Sequence, residues 1–185
     1  MSKFEFLAGF VSILIAIGIT DMLYSLHRLL KNRSQIRWSF SSLAFTLHTF
    51  LLLLSWWFSQ VHNFESQNTN TGLGFFIFLI PLFALLLMAL SVLPDKEPED
   101  EFDLEIWYMT TKKYFLIIHL VYIVATVTVL FLRDAGFTIY IANLILFGMI
   151  SSLLISKNRI YHIVMNVILL ACDILILSQQ TTGFN

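Results

Sequence analysis

The sequence is poor in charge, in cysteine and in catalytic signatures, and each shortage narrows what the chain can be. Only 12% of its 185 residues are charged, against about 25% in a soluble domain. A fully water-facing surface is therefore excluded. The single cysteine, Cys172, rules out a disulfide within the chain. It lies among Leu and Ala in an apolar run, so a buried, inert thiol is expected. The net charge of −1 speaks against a nucleic-acid partner. No G-x-S-x-G, H-E-x-x-H or phosphate-binding glycine loop occurs, so an enzyme is not the expectation and no metal set is indicated.

What the chain has instead is apolar bulk: 58% of residues are hydrophobic and 18 are Phe. It falls into six stretches, and a spanning helix takes roughly 20 apolar residues. Six such helices use about 120 positions, so residues 1–185 are expected to form a single transmembrane domain. The fold class is all-α, a polytopic bundle with helices at about 4–30, 38–59, 73–93, 114–132, 137–156 and 160–178. The first apolar run, Phe6 to Thr20, has no A-x-A-like site after it and is followed by Asp21 and His27-Arg28. It reads as an uncleaved first helix rather than a signal peptide.

Orientation follows from the bases. Arg28, Lys31, Arg33 and Arg37 follow helix 1; Lys96, Lys112 and Lys113 follow helix 3; Lys157 and Arg159 follow helix 5. Only Lys3 and Arg133 fall on the other side, leaving nine of eleven together. Lys and Arg are retained on the cytoplasmic side, so both termini are expected outside, with the chain multi-pass in the inner (plasma) membrane. The outer loop 60–74, with His62, Asn63, Asn68 and Asn70, has no Asn-x-Ser/Thr and no base. The inner loop 94–113 has seven acids: Asp95, Glu97, Glu99, Asp100, Glu101, Asp103 and Glu105. A solvated loop is the main reading. A divalent-ion site is the sharper one, since hard cations take carboxylate oxygens, but no EF-hand order is present; a docking site for a protein partner belongs to the second functional reading below. Trp107 and Tyr108 mark the return to the interface. Pro81, inside helix 3, removes one backbone bond and favours a kink. Three helices precede the acidic loop and three follow it, a spacing that permits an inverted repeat; no matching residues support one.

Ionisable residues at membrane depth cost a few kcal/mol and face the bundle interior or a wet cavity. Helix 6 carries His162, Asn166 and Asp173 on one stripe, helix 1 Asp21, Ser25 and Arg28, and helix 4 His119, Tyr122 and Thr126. Helix 2 carries His48 among serines, and helix 5 carries Asn143 above Ser151 and Ser152. Helix 3 has almost no polar side chain and is expected to face lipid over most of its surface. At about 1.5 Å per residue, Asp21, His119 and Asn166 share an inner layer, with an Asp21–His119 pair suited to proton coupling. His27, Arg28 and His162 lie below them at the cytoplasmic mouth; His48 lies near the middle, and Asn143 and Asp173 lie higher. Simple solvation suits His62 and His162. No cofactor is called for. Haem held by two histidines needs a pair at one depth on facing helices; His48 and His119 differ by roughly 6 Å in depth, and His119 matches His162 better. Small residues Ala8, Gly9, Ala16, Gly18 and Gly148 permit close helix packing.

Phe4-Glu5-Phe6-Leu7-Ala8-Gly9, Ile19-Thr20-Asp21-Met22-Leu23, Leu26-His27-Arg28-Leu29-Leu30, the Trp56-Trp57 pair and Asn158-Arg159-Ile160-Tyr161-His162 carry a likeness. The chain resembles an uncharacterised family of small six-helix bacterial inner-membrane proteins. The resemblance implies that location and fold, and no activity.

Two functional readings follow. In one, a small solute or ion is handled through a polar intramembrane cavity lined by Asp21, His119, Asn166, Asp173, His48 and Asn143, with Arg28 and His27 at the mouth. In the other, the polar stripes are structural and the protein is a non-transporting interaction subunit of a membrane complex. A substrate-binding subunit of a larger transporter also fits the size. An oligomer is compatible with all of these. A cysteine placed at Ser34 is expected to stay unmodified by an impermeant maleimide applied to intact cells; labelling there overturns the orientation.

Overall fold

The computed structural model describes residues 3–63, 72–95, 101–132 and 136–181. Asn68, Asn70, Lys96 to Asp100 and Arg133 lie outside the described residues, as do the side chains of Lys3, His62 and Asn63. Six helices account for nearly all of it: α1 (Lys3–Lys31), α2 (Phe40–Asn63), α3 (Gly72–Ala89), α4 (Leu104–Leu132), α5 (Phe137–Ile155) and α6 (Arg159–Thr181). Helices satisfy their own backbone groups, which a bilayer interior demands. Five of them, all but α3, are long and apolar enough to cross a membrane. The apolar part of α3, Leu73–Ala89, is shorter and spans about 25 Å at 1.5 Å per residue. Six full-length spans were expected; five meet the length.

The largest departure from expectation is α4. It starts at Leu104, ten residues before the expected Tyr114. The reason is a cap: Asp103 Oδ1 accepts from the backbone N–H of Glu105 and of Ile106, both at 2.9 Å. Asp is a strong N-cap because its oxygen satisfies donors that the first turn leaves unpaired. Ser39 caps α2 in the same way, its Oγ accepting from Ser42 N at 3.2 Å. Asn158 caps α6, its Oδ1 accepting from Ile160 N at 2.9 Å.

The acidic connection is thus only partly a solvated loop. Ile36–Arg37 (β1) pairs in parallel with Phe102–Asp103 (β2), Ile36 opposite Phe102 and Arg37 opposite Asp103. The Ser39 hydroxyl donates to the Glu105 carboxylate, and Arg37 lies 3.9 Å from Asp103. Arg28 donates to the carbonyls of Asp95 and Pro94. The segment after α1, the one before α4 and the turn between α5 and α6 therefore meet at one end of the bundle.

Helix α3 packs closely on α4 and also against α1 and α2; α2 and α6 form the other extensive pair, and α5 leans on α4. Here the second expectation fails. Phe78, Leu79, Leu82, Ala84, Leu85, Met88 and Ala89 of α3 are buried, while α5 buries only Ile150 and Leu153. Lipid tails are as apolar as Leu, so an all-apolar helix carries no mark that separates a protein-facing side from a lipid-facing one. Cys172 is exposed on the outer surface of α6, not buried.

Gly18 is the small residue that packing uses. A β-carbon there would meet Leu86 Cδ1 at 3.2 Å, Ala89 Cβ at 3.4 Å and Leu53 Cδ1 at 3.6 Å, whereas one at Gly9 or Gly148 meets nothing within 4 Å. Gly18→Leu is expected to push α1 off α3 and α2 at a cost of about 1–3 kcal/mol, the usual penalty of overpacking. Gly9→Leu is expected to be near neutral. Thermal unfolding in detergent separates the two; equal melting temperatures would refute the contact.

Candidate functional site

Three helices bring polar side chains to one seam. On α2 the face Ser41, Phe45, His48 and Leu52 advances by four, three and four residues; on α6, His162, Asn166, Leu169 and Asp173 do the same. On α4, Tyr108, Lys112, Phe115, His119 and Tyr122 alternate by four and three. Steps of three and four keep a helix on one face. All of these are buried, and Ser41, His48, His119, His162 and Asn166 are each 0% exposed.

The seam has two polar clusters. In the first, His48 Nδ1 lies 2.5 Å from Asp173 Oδ2. An ionised carboxylate only accepts, so Nδ1 carries the proton and the Asp fixes the ring. His119 stacks on His48, with ring centroids 5.1 Å apart and planes 26° apart. Tyr122 stands beside His119 at 5.9 Å. Neither nitrogen of His119, nor His48 Nε2, has a hydrogen-bond partner among the described residues.

In the second cluster, the Tyr108 hydroxyl meets His162 Nδ1 at 2.9 Å. His162 Nε2 lies 3.0 Å from Lys112 Nζ and 3.1 Å from the Ser156 carbonyl. Lys112 Nζ donates to the carbonyls of Leu153, at 3.2 Å, and of Ser156. A cation there matches the negative end of the α5 dipole and its unpaired terminal carbonyls. The imidazole has two consistent states: Nε2 accepts from Lys112 while Nδ1 donates to Tyr108, or Nε2 donates to Ser156 while Nδ1 accepts. Asn166 Nδ2 donates to the Ser41 carbonyl at 3.1 Å and approaches Tyr108 Oη at 3.5 Å. Asn166 Oδ1 and Ser41 Oγ have no partner among the described residues.

Between the clusters sits Phe45. Its ring centroid is 5.5 Å from His48, 6.1 Å from His119 and 6.5 Å from Tyr108, and it packs on Phe115 at 4.9 Å.

Of the residues expected at a site, the structure gathers His48, His119, Asn166 and Asp173. It corrects the depths. His48 and His119 are level and stacked, not offset by a turn, and Asn166 belongs with Tyr108 rather than with His119. The error arose at α4: depth counted from Tyr114 was short by ten residues, about 15 Å of helix. Asp21 is not beside His119. It is half-buried on α1 and lines an open groove of about 500 Å³ with Ile13, Ala16, Ile17, Thr20, Tyr24 and Leu90. Arg28 is not at the mouth of the seam; it bonds Ser25 Oγ at 3.0 Å, ties α1 to Pro94 and Asp95, and lies over the Tyr24 ring at 4.9 Å. His27 is exposed on the same helix. Asn143 donates to the Ile139 carbonyl of its own helix at 2.9 Å and joins no cluster. His162 is buried and bonded rather than solvated. Tyr108 and Lys112 belong to the site although their places in the sequence suggest an interface marker and a loop base. Their signal was present: they stand eleven and seven residues before His119, on its own stripe.

No protein family, curated protein or solved structure matches the chain.

Removing the His48 imidazole leaves the buried Asp173 carboxylate uncompensated, at about 3–5 kcal/mol, whereas replacing both with apolar groups is often neutral. His48→Leu is expected to lower stability by about that amount, and His48→Leu with Asp173→Leu to recover most of it. Unfolding titrations in mixed micelles read both. A single variant as stable as the parent would show that the pair contributes nothing.

Proposed function

We propose that this is a multi-pass protein of the bacterial inner membrane, with both termini outside, that handles a small solute or ion along the seam between α2, α4 and α6. The supporting observation is the set of buried polar atoms without a partner among the described residues: His48 Nε2, both nitrogens of His119, and Asn166 Oδ1. Each such atom costs free energy in a low-dielectric interior, and a protein that used these side chains only as glue would gain by pairing them or replacing them with apolar groups. A seam that binds or passes something retains them. The meeting of the basic segments after α1 and α5 at one end of the bundle agrees with the cytoplasmic placement of that end, although Lys112 is buried and drops out of the count.

A second reading, a non-transporting subunit, draws on the pairs that are satisfied. Asn166 to Ser41, Tyr108 to His162 and Lys112 to Leu153 each join two helices, and such bonds average about 0.6 kcal/mol in membranes.

Current recordings from proteoliposomes on a solid support, with concentration jumps of Na⁺, K⁺, Cl⁻ and H⁺, separate the two. The parent is expected to carry current for at least one of these ions. Asp173→Asn and His119→Ala are expected to lower it about tenfold, the effect of a little over 1 kcal/mol. Asp21→Asn, outside the seam, is expected to leave it unchanged. Silence of the parent for all four ions favours the subunit.

A further inference from the structure

We infer that the species the seam carries is the proton, and that Phe45 is the barrier between its two halves; this rests on the seam being a transport path. Three observations carry it. First, His48, His119, His162 and Asn166 are fully buried and His48 and His119 are in ring contact. A solvated ion needs the helices to part, whereas a proton needs only hydrogen bonds. Second, both clusters are built from groups that give and take protons. Facing the first are His48 from α2, His119 and Tyr122 from α4 and Asp173 from α6; facing the second are Tyr108 and Lys112 from α4 and His162 from α6, with the Glu105 carboxylate near His162. Third, each cluster holds atoms without a partner among the described residues: His48 Nε2 and both nitrogens of His119 in one, Asn166 Oδ1 and Ser41 Oγ in the other. Between them stands the apolar Phe45–Phe115 ring pair, and among the described residues no hydrogen-bonded chain runs across it.

The exchange balances at each cluster. A proton that bonds to His48 Nε2 is matched by loss of the Nδ1 proton to Asp173 Oδ2. One N–H bond forms, another breaks, the carboxylate becomes a carboxylic acid and the imidazole stays neutral. At the second cluster, His162 takes a proton at Nε2 from the Lys112 ammonium, leaving a neutral amine, and the imidazolium then releases its Nδ1 proton to the Tyr108 oxygen as the Tyr108 hydroxyl proton passes to a water in the gap, which becomes hydronium. Water is the carrier across the gap, and it passes when the Phe45 ring turns aside.

The test uses the full-length protein in liposomes containing a pH-sensitive dye, with a K⁺ gradient and valinomycin to impose a potential. Phe45→Ala is expected to raise proton flux about tenfold or more over the parent, the effect of a barrier lowered by a little over 1 kcal/mol. Phe45→Leu, which keeps the gap filled with apolar side chain, is expected to stay near the parent. Asp173→Asn in the Phe45→Ala background is expected to abolish the gain. If Phe45→Ala melts early in detergent, Phe115→Ala opens the same ring pair and carries the same expectation. A proton-conducting parent with no gain in either alanine variant overturns the barrier and leaves the seam as a path. A gain that admits radiolabelled Na⁺ as readily as H⁺ overturns the proton. Folded variants that pass neither ion, with a silent parent, overturn the barrier and the proposed function together.

Discussion

The contact between His48 and Asp173 constrains the rest of the structure. A carboxylate far along α6 is costly in an apolar interior, and the imidazole of α2 supplies the only ion-pair partner it has among the described residues. That one contact fixes the rotation of α6 against α2, because the stripes that carry the two residues have the same four-three-four spacing. Once these faces meet, Asn166 arrives at the Ser41 carbonyl and His162 at Tyr108. Helix α4 then completes the seam with His119, and its opposite side is left to α3 and α5.

The second constraint lies at the end where the basic and acidic segments meet. Ser39 and Asp103 each cap a helix, and each is also drawn into the contact between the two segments: Ser39 through Glu105, Asp103 through Arg37 and the short parallel pairing. The caps set where α2 and α4 begin, and the pairing sets those beginnings level. The exposed Arg37–Asp103 contact adds little by itself; its role is register. Without that register the first turns of α4 would not bring Tyr108 and Lys112 under His162.

These two constraints explain which features the sequence showed and which it hid. The stripes were legible because helical periodicity is a property of each helix alone. His162, Asn166 and Asp173 could be placed on one face before any neighbour was known. Depth was not legible, because it depends on where a helix starts. Asp103 looked like one acid among seven rather than the residue that begins α4. Partnership was less legible still. Asp21 and Asp173 are both carboxylates in apolar helices with a plausible histidine at hand, and only packing decides that Asp173 meets one while Asp21 faces a groove. Helix α3 misled for a different reason. In water, a helix without polar residues is a core helix, whereas in lipid the same composition fits either place. Its burial follows from the shape of Gly18 and its neighbours, which no count of polar residues reports.

The distribution of polarity also bears on what moves. The extensively packed α3 has almost no polar side chain, so α1, α3 and the C-terminal half of α4 cohere through dispersion between apolar surfaces. The seam adds directional contacts to its apolar packing, and several of its polar atoms have no partner among the described residues. Apolar packing resists the loss of any single methyl group strongly, while a ring in the seam, flanked by imidazoles with free nitrogens, has groups ready to bond water whenever it shifts. Because α2 and α6 pack extensively on either side of the seam, an opening there is one of side chains rather than of helices, and Phe45, the large apolar residue that lies between the two polar clusters, is where it would join them.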